Sequence, residues 1–116
     1  MTAGGQQLYE FEEFVLDADK RLLFDANSGV VPLMPKALDI LFYLVRHAGS
    51  VVEKDELMSA IWPDTIVEEN NLTQNISALR RALGEKHREN RFIATIPGRG
   101  YKFVANVVLR DGLSGT

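Results

Sequence analysis

Residues 70–84 run Asn-Asn-Leu-Thr-Gln-Asn-Ile-Ser-Ala-Leu-Arg-Arg-Ala-Leu-Gly, and how this stretch is read decides the fold. At 100° per residue, Leu72, Ile76, Leu79 and Leu83 share one narrow arc and form the buried seam of a helix. The opposite arc holds Asn70, Gln74, Ser77, Ala78 and Arg81, with Arg80 and Thr73 on a flank. Amides, small side chains and arginines on a leucine-anchored helix are the residue types that read base edges in a major groove. An ordinary amphipathic surface helix is the competing interpretation. Such helices gain from Glu/Lys pairs on the outer face, yet no acidic residue falls between Asn70 and Gly84.

Toward the N-terminus, Thr65 and Glu68 match a capping box, which predicts that a helical turn begins before Asn70. Pro63 closes a preceding helix over residues 54–62, with Leu57, Met58 and Ile61 inward and Glu53, Asp55 and Glu56 at its positive end. Val51-Val52 is long enough only for a short extended segment. Upstream, Pro35 opens a core helix whose Leu38, Leu41, Phe42 and Val45 recur at helical spacing, widened by Ile40 and Leu44, and Gly49 stops it. Before that lie strand-like runs: residues 8–16, then 21–24 and 30–33, separated by the turns Asp17-Ala18-Asp19 and Asp25 to Gly29. They make an antiparallel meander of three or four strands.

Toward the C-terminus, residues 85–91 read as a charged loop. Two β-runs, 92–96 and 101–107, flank Pro97-Gly98-Arg99-Gly100 and form a hairpin. Helix, connection, helix and hairpin in that order make a winged helix-turn-helix. The fold class is α+β, with an N-terminal antiparallel sheet, a three-helix bundle and a C-terminal β-hairpin wing. The expected domain is residues 8–108, preceded by a loose arm at 1–7 and followed by a linker or tail at 109–116.

The 116 residues suit one compact domain, and no apolar run approaches a membrane span. The N-terminus lacks the features of a signal peptide, and the absence of cysteine removes disulfides and thiolate zinc sites. These features fit a cytoplasmic protein with no membrane contact from this chain itself. The net charge of −3 looks unsuited to nucleic acid, but the charges are segregated. Residues 1–69 hold 5 Lys+Arg against 13 Asp+Glu, whereas residues 70–103 hold 7 against 2. The second segment carries an electrostatic footprint, and the acidic half is expected to lie away from any DNA.

The sequence argues against an enzyme. His47 and His87 are lone, with no second ligand at metal-binding spacing. Acidic residues are scattered among turns and helix starts, so no catalytic carboxylate pair stands out. Gly98-Arg99-Gly100 is followed by a strand, which rules out a dinucleotide fingerprint. No cofactor and no metal are expected. Nucleic-acid chemistry fits better, because Asn and Gln pair bidentately with adenine, and Ser and Ala suit other base edges. Asn70, Asn71, Gln74, Ser77 and Ala78 are therefore candidates for direct readout. Arg81 reads guanine or grips phosphate, while Arg80, Thr73 and Lys86 look positional. A salt bridge to the preceding helix is an equal alternative for Arg80. Arg99, sterically free between two glycines, suits a minor groove or a phosphate, the alternative being an idle turn charge. Tyr101 and Phe103 alternate inward as wing core.

Asn75-Ile76-Ser77-Ala78-Leu79-Arg80-Arg81-Ala82-Leu83, followed by Phe92-Ile93-Ala94-Thr95-Ile96-Pro97-Gly98-Arg99-Gly100-Tyr101-Lys102-Phe103, resembles the OmpR/PhoB-type winged-helix family. That family's helix reads Ile-x-x-Leu-Arg-x-x-Leu and its hairpin Ile-x-Thr-x-x-Gly-x-Gly-Tyr. The Asn-Leu-Thr-Gln-Asn variant with Leu-Gly-Glu is most similar to the ToxR/CadC-like branch. The resemblance implies sequence-specific binding of double-stranded DNA by a bacterial transcriptional regulator. A recognition helix at about 70–84 would enter the major groove and a wing at about 92–106 would reach the minor groove. It also implies contacts from Asn71, Asn75, Ser77, Ala78, Arg80, Arg81 and Thr95, tandem dimers on direct repeats, and RNA polymerase contact through the 63–69 connection. Two departures stand out. Asn75, Ser77 and Ala78 replace the Arg or His frequent in the family, which implies a weaker electrostatic grip. Pro97 occupies the position of a minor-groove Arg in some members, with Arg99 as the candidate substitute. No receiver domain with a phosphoacceptor Asp is present, so signal input is expected outside this chain. The alternative function is a winged helix used for protein–protein interaction.

Overall fold

The computed structural model describes residues 7–85 and 90–111, which divide into two compact units. The first unit comprises residues up to Pro32 together with those from Asn106 onward. Its four N-terminal strands are β1 (Gln7–Phe11), β2 (Phe14–Asp17), β3 (Leu22–Asp25) and β4 (Gly29–Val31). The 8–16 run is thus two strands. It is broken at Glu12-Glu13, where Glu12 takes a left-handed φ of +52° that its sequence does not advertise.

A fifth strand, β8 (Val108–Asp111), pairs antiparallel with β1 and gives the order β4-β3-β2-β1-β8. This corrects the expectation of a linker at 109–116: residues 109–111 are strand, and 112–116 lie outside the described residues. The register supplies the reason. Leu109 stands opposite Tyr9, Tyr9 opposite Leu16, Leu16 opposite Leu23 and Leu23 opposite Val31. Side chains directly opposite one another share a face, so this is one apolar row across all five strands, fully buried at Leu16 and Leu23. Arg110 Nε adds an ion pair of 2.8 Å to Glu10 on β1. The expected arm at 1–7 also loses Gln7 to β1, while residues 1–6 lie outside the described residues.

The second unit, Leu33–Ala105, carries the described helices α1 (Pro35–Arg46), α2 (Lys54–Ile61) and α3 (Glu69–Ala82). α1 is the centre of this unit's core: Ile40, Leu41 and Leu44 are fully buried, and α1 packs against both α2 and α3. Pro35 takes the first helical turn as expected, where its missing N–H costs no bond. The Val51-Val52 segment is more than a connector. As β5 (Val51–Glu53) it pairs with β7 (Gly100–Phe103), which also pairs with β6 (Ile93–Ile96), so the wing is a three-stranded sheet in the order β5-β7-β6.

α3 does begin before Asn70, by one residue, but not through the capping box. Residues 64–68 are not helical, α3 begins at Glu69, and its cap residue Glu68 makes no side-chain capping bond. Thr65, Ile66 and Val67 are three consecutive β-branched residues, which resist helical χ1 angles and keep the connection extended. At the other end α3 stops cleanly. Gly84 takes φ +74°, its N–H donates to Arg81 O at 3.1 Å, and Glu85 N–H donates to Arg80 O at 2.9 Å, a Schellman closure.

Candidate nucleic-acid interface

α3 is anchored by the predicted seam: Leu72, Ile76, Leu79 and Leu83 are all buried. Opposite the seam, Asn70, Gln74, Ser77 and Arg81 follow one another at four-, three- and four-residue steps, and all four are exposed. That spacing makes a continuous ridge. Asn71 is exposed on one shoulder of this ridge, with Ala78 and Asn75 half-buried beside it. Asn75 spends one amide N–H on the Asn71 carbonyl at 2.8 Å, which fixes its side chain along the helix. Thr73, on the other shoulder, returns its hydroxyl to the Glu69 carbonyl at 3.3 Å.

Arg80 lies on the same shoulder as Thr73 and has a different task from its neighbour Arg81. Its Nη2 donates to the Ile93 carbonyl at 2.9 Å and to Thr95 Oγ1 at 2.8 Å, both on β6. The guanidinium therefore bolts the recognition-type helix to the wing, and the alternative of a salt bridge to α2 is set aside. Two expected site residues, Arg80 and Thr95, are brought into direct contact. Thr95 accepts from Arg80 and retains its hydroxyl proton to donate outward.

At the wing tip the expectation of a free Arg99 is overturned. Its Nη2 lies 2.6 Å and its Nε 3.1 Å from one carboxylate oxygen of Glu53. The backbone beneath is also fixed, since Lys54 N–H donates to Arg99 O at 2.9 Å and Arg99 N–H to Ile96 O at 3.0 Å. Gly100 makes this closeness possible: a Cβ there would sit 2.0 Å from the Val52 carbonyl oxygen. Nearby, Lys54 Nζ pairs with Glu69 at 3.2 Å and links the start of α2 to the start of α3.

Sequence reasoning gives Glu53 only a place at the positive end of α2 and misses the interface roles of Glu53 and Glu85. Glu85, placed in the charged loop, receives the backbone N–H groups of Arg91, Phe92 and Ile93 at 3.1, 3.3 and 3.1 Å. One carboxylate directly after the helix stop thereby sets the entry of β6. Its only advance signal is an acid following a helix-terminating glycine. Lys86 and His87 lie outside the described residues.

A three-helix unit whose last helix carries an exposed polar ridge and is bolted to a β-hairpin defines the winged helix-turn-helix class. Residues 28–103 match the family described as "Transcriptional regulatory protein, C terminal", and the chain belongs to that family. It is 39% identical over 101 residues to the transcriptional regulator HilA of Salmonella typhimurium, a match covering 87% of this chain and 18% of that protein. The transcriptional activator CadC of Escherichia coli is 36% identical over 83 residues, covering 71% of this chain and 16% of CadC. The chain thus spans less than a fifth of the length of these relatives. The solved DNA-binding domain of E. coli CadC superposes with a TM-score of 0.77 at 30% identity, covering 91% of this chain and 99% of that domain.

Proposed function

We propose that this domain binds double-stranded DNA sequence-specifically for a bacterial transcriptional regulator, with α3 in the major groove and the wing at the adjacent minor groove. The observation that carries it is the ridge Asn70–Gln74–Ser77–Arg81, exposed along its length and without an acidic residue. Gln74 and Asn70 suit adenine, Arg81 suits guanine or phosphate, and Ser77 and Ala78 leave room for a base edge to approach. Asn71 and Asn75 contribute from the shoulder, while Thr73 and Thr95 have hydroxyls suited to phosphate. Arg80 holds the helix and wing in one geometry, and its role is positioning.

Selection of bound duplexes from a random pool tests this. The expected result is a defined site whose binding weakens steeply with salt, with a log–log slope of about −0.9 per phosphate contacted. Arg81→Ala and Gln74→Ala are expected each to relax selection at one base position, at about 1–3 kcal/mol each. No enrichment at low salt would favour the protein-interaction alternative. Two further parts of the reading concern partners. Direct repeats in the selected sites would support tandem dimers, and a single unrepeated site would oppose them. The α2–α3 connection offers RNA polymerase a contact, because Ile66 is wholly exposed beside a groove lined by Met58, Trp62 and Val67. Ile66→Ser is expected to leave DNA affinity unchanged and to lower transcription from a responsive promoter. Acting on chromosomal DNA, the domain would work in the cytoplasm.

A further inference from the structure

Glu53 suits the positive end of α2 by its charge but does not act as its cap. It stands at the cap position, where Ser, Thr, Asp or Asn would accept a hydrogen bond from the first-turn N–H groups, and it makes no such bond. Its carboxylate instead reaches the wing tip and holds Arg99 through Nη2 and Nε. A local choice that goes against helix capping and is spent on an interface cation points to function. The surroundings fix the backbone and leave the side chains free to move. Lys54 N–H holds the Arg99 carbonyl, Gly100 abuts Val52, and Gly98 offers no side chain that would obstruct an outward rotamer. Both partners are about half exposed, at 59% for Arg99 and 48% for Glu53, so water screens the pair and exchange is easy.

We propose that Glu53 restrains the wing: it occupies Arg99 in the unbound domain, and a DNA phosphate must displace it before the wing tip engages. The inference rests on the DNA-binding reading above. A carboxylate and a phosphate oxygen present the same acceptor chemistry to a guanidinium. The exchange is therefore nearly balanced, and it tips toward DNA only where α3 is already seated and brings a phosphate within reach. On unrelated sequence, where α3 does not seat, Arg99 stays with Glu53 and contributes nothing. Glu53 thus lowers affinity for the selected site, where the pair must be broken, by up to the full strength of the ion pair, and for non-cognate duplex by only the weaker phosphate contact that it forestalls.

The test is a double-mutant cycle of wild type, Glu53→Gln, Arg99→Ala and the double variant. Each is titrated by fluorescence anisotropy with the pool-selected duplex and with a scrambled duplex of equal length, at several salt concentrations. Glu53→Gln is expected to raise affinity for the selected duplex by roughly two- to fivefold, the range an exposed ion pair allows. Its salt slope on the scrambled duplex, where Arg99 is newly released, is expected to steepen by up to about one phosphate, and the gain in affinity there to be smaller. In the Arg99→Ala background the gain disappears. An equal gain in both backgrounds overturns the proposal, because the effect is then only the removal of a negative charge near DNA. An equal gain on both duplexes also overturns it. If wild type binds the selected duplex but Glu53→Gln changes nothing, the exchange is refuted while DNA binding stands. If no variant binds any duplex, both fall together.

Discussion

Replacing Gly100 by alanine is the sharpest test of how the wing is built. The added methyl carbon would lie 2.0 Å from Val52 O, 2.9 Å from Lys54 N and 3.0 Å from Glu53 C, all of them backbone atoms. None of these is the end of a flexible side chain that can swing away. Relief requires β5 and β7 to part by roughly 1 Å, which forfeits contact along the pair. The register at risk is Val51–Lys102, Val52–Tyr101 and Glu53–Gly100, with the Lys54-to-Arg99 backbone bond at its end. Losing two or three backbone hydrogen bonds at about 1 kcal/mol each, plus overpacking, gives a destabilisation of about 3–4 kcal/mol. Gly98→Ala is the control. There φ is +75° but nothing lies within 4 Å, so only left-handed strain applies, about 1–2 kcal/mol. Urea denaturation followed by circular dichroism measures both. A Gly100→Ala variant within 1 kcal/mol of wild type, or a Gly98→Ala variant that costs more, would show that the β5–β7 approach is not as tight as described.

Three further expectations follow from the same geometry. Glu85→Ala leaves the N–H groups of residues 91–93 without their carboxylate acceptor and should cost about 2 kcal/mol in a denaturation experiment; a change under 0.5 kcal/mol would dismiss the anchor. Arg80→Ala frees β6 from α3, so amide hydrogen exchange at residues 93–96 should quicken with a stability loss of about 1 kcal/mol; unchanged exchange would mean the bolt is idle. Tyr43 donates its hydroxyl to Glu56, and that hydrogen bond, with lesser help from burial and from the Glu56 charge, raises the phenol's pKa above its usual value. The protonated phenol is favoured in the folded state, so the pair's contribution is whole below about pH 10 and fades as pH climbs through the higher folded value. Tyrosinate absorbance, taken as wild type minus Tyr43→Phe, should appear at lower pH once Glu56→Gln is introduced; an unmoved titration would exclude the pair.

What the sequence discloses is set by how far apart the cooperating residues lie. The seam of α3, the apolar α1 and the Gly/Pro hairpin tip are local patterns, and each is legible because one element repeats its own period. The second unit's fold follows from them. The Thr65–Glu68 match misleads because the three β-branched residues within it outweigh the motif's capping pattern. At the interface the exposed ridge is legible for the same reason as the seam, being its complement on one helix. The engagement of Arg80 with Thr95, of Arg99 with Glu53 and of Glu85 with residues 91–93 is not legible. Each joins separate elements, and a charge on a sequence carries no mark of which distant partner holds it. Arg80 and Arg81 are adjacent and chemically identical, yet one faces β6 and the other the solvent.

The pairing of β1 with β8 has a kinetic consequence. Its partners, such as Gln7 and Asp111, are separated by nearly the whole chain, whereas β1 to β4 meet across short turns. Loop-closure entropy makes such a contact late to form, although length itself adds only about 0.6 kcal/mol per doubling. On the ribosome β8 also emerges after everything it must join. Until then β1 stands as an unpaired edge, with its backbone N–H and C=O groups open to another chain. Among the described strands of this sheet, the latest made is the one that closes the edge of β1, so the interval between them is when the sheet is most exposed to mispairing.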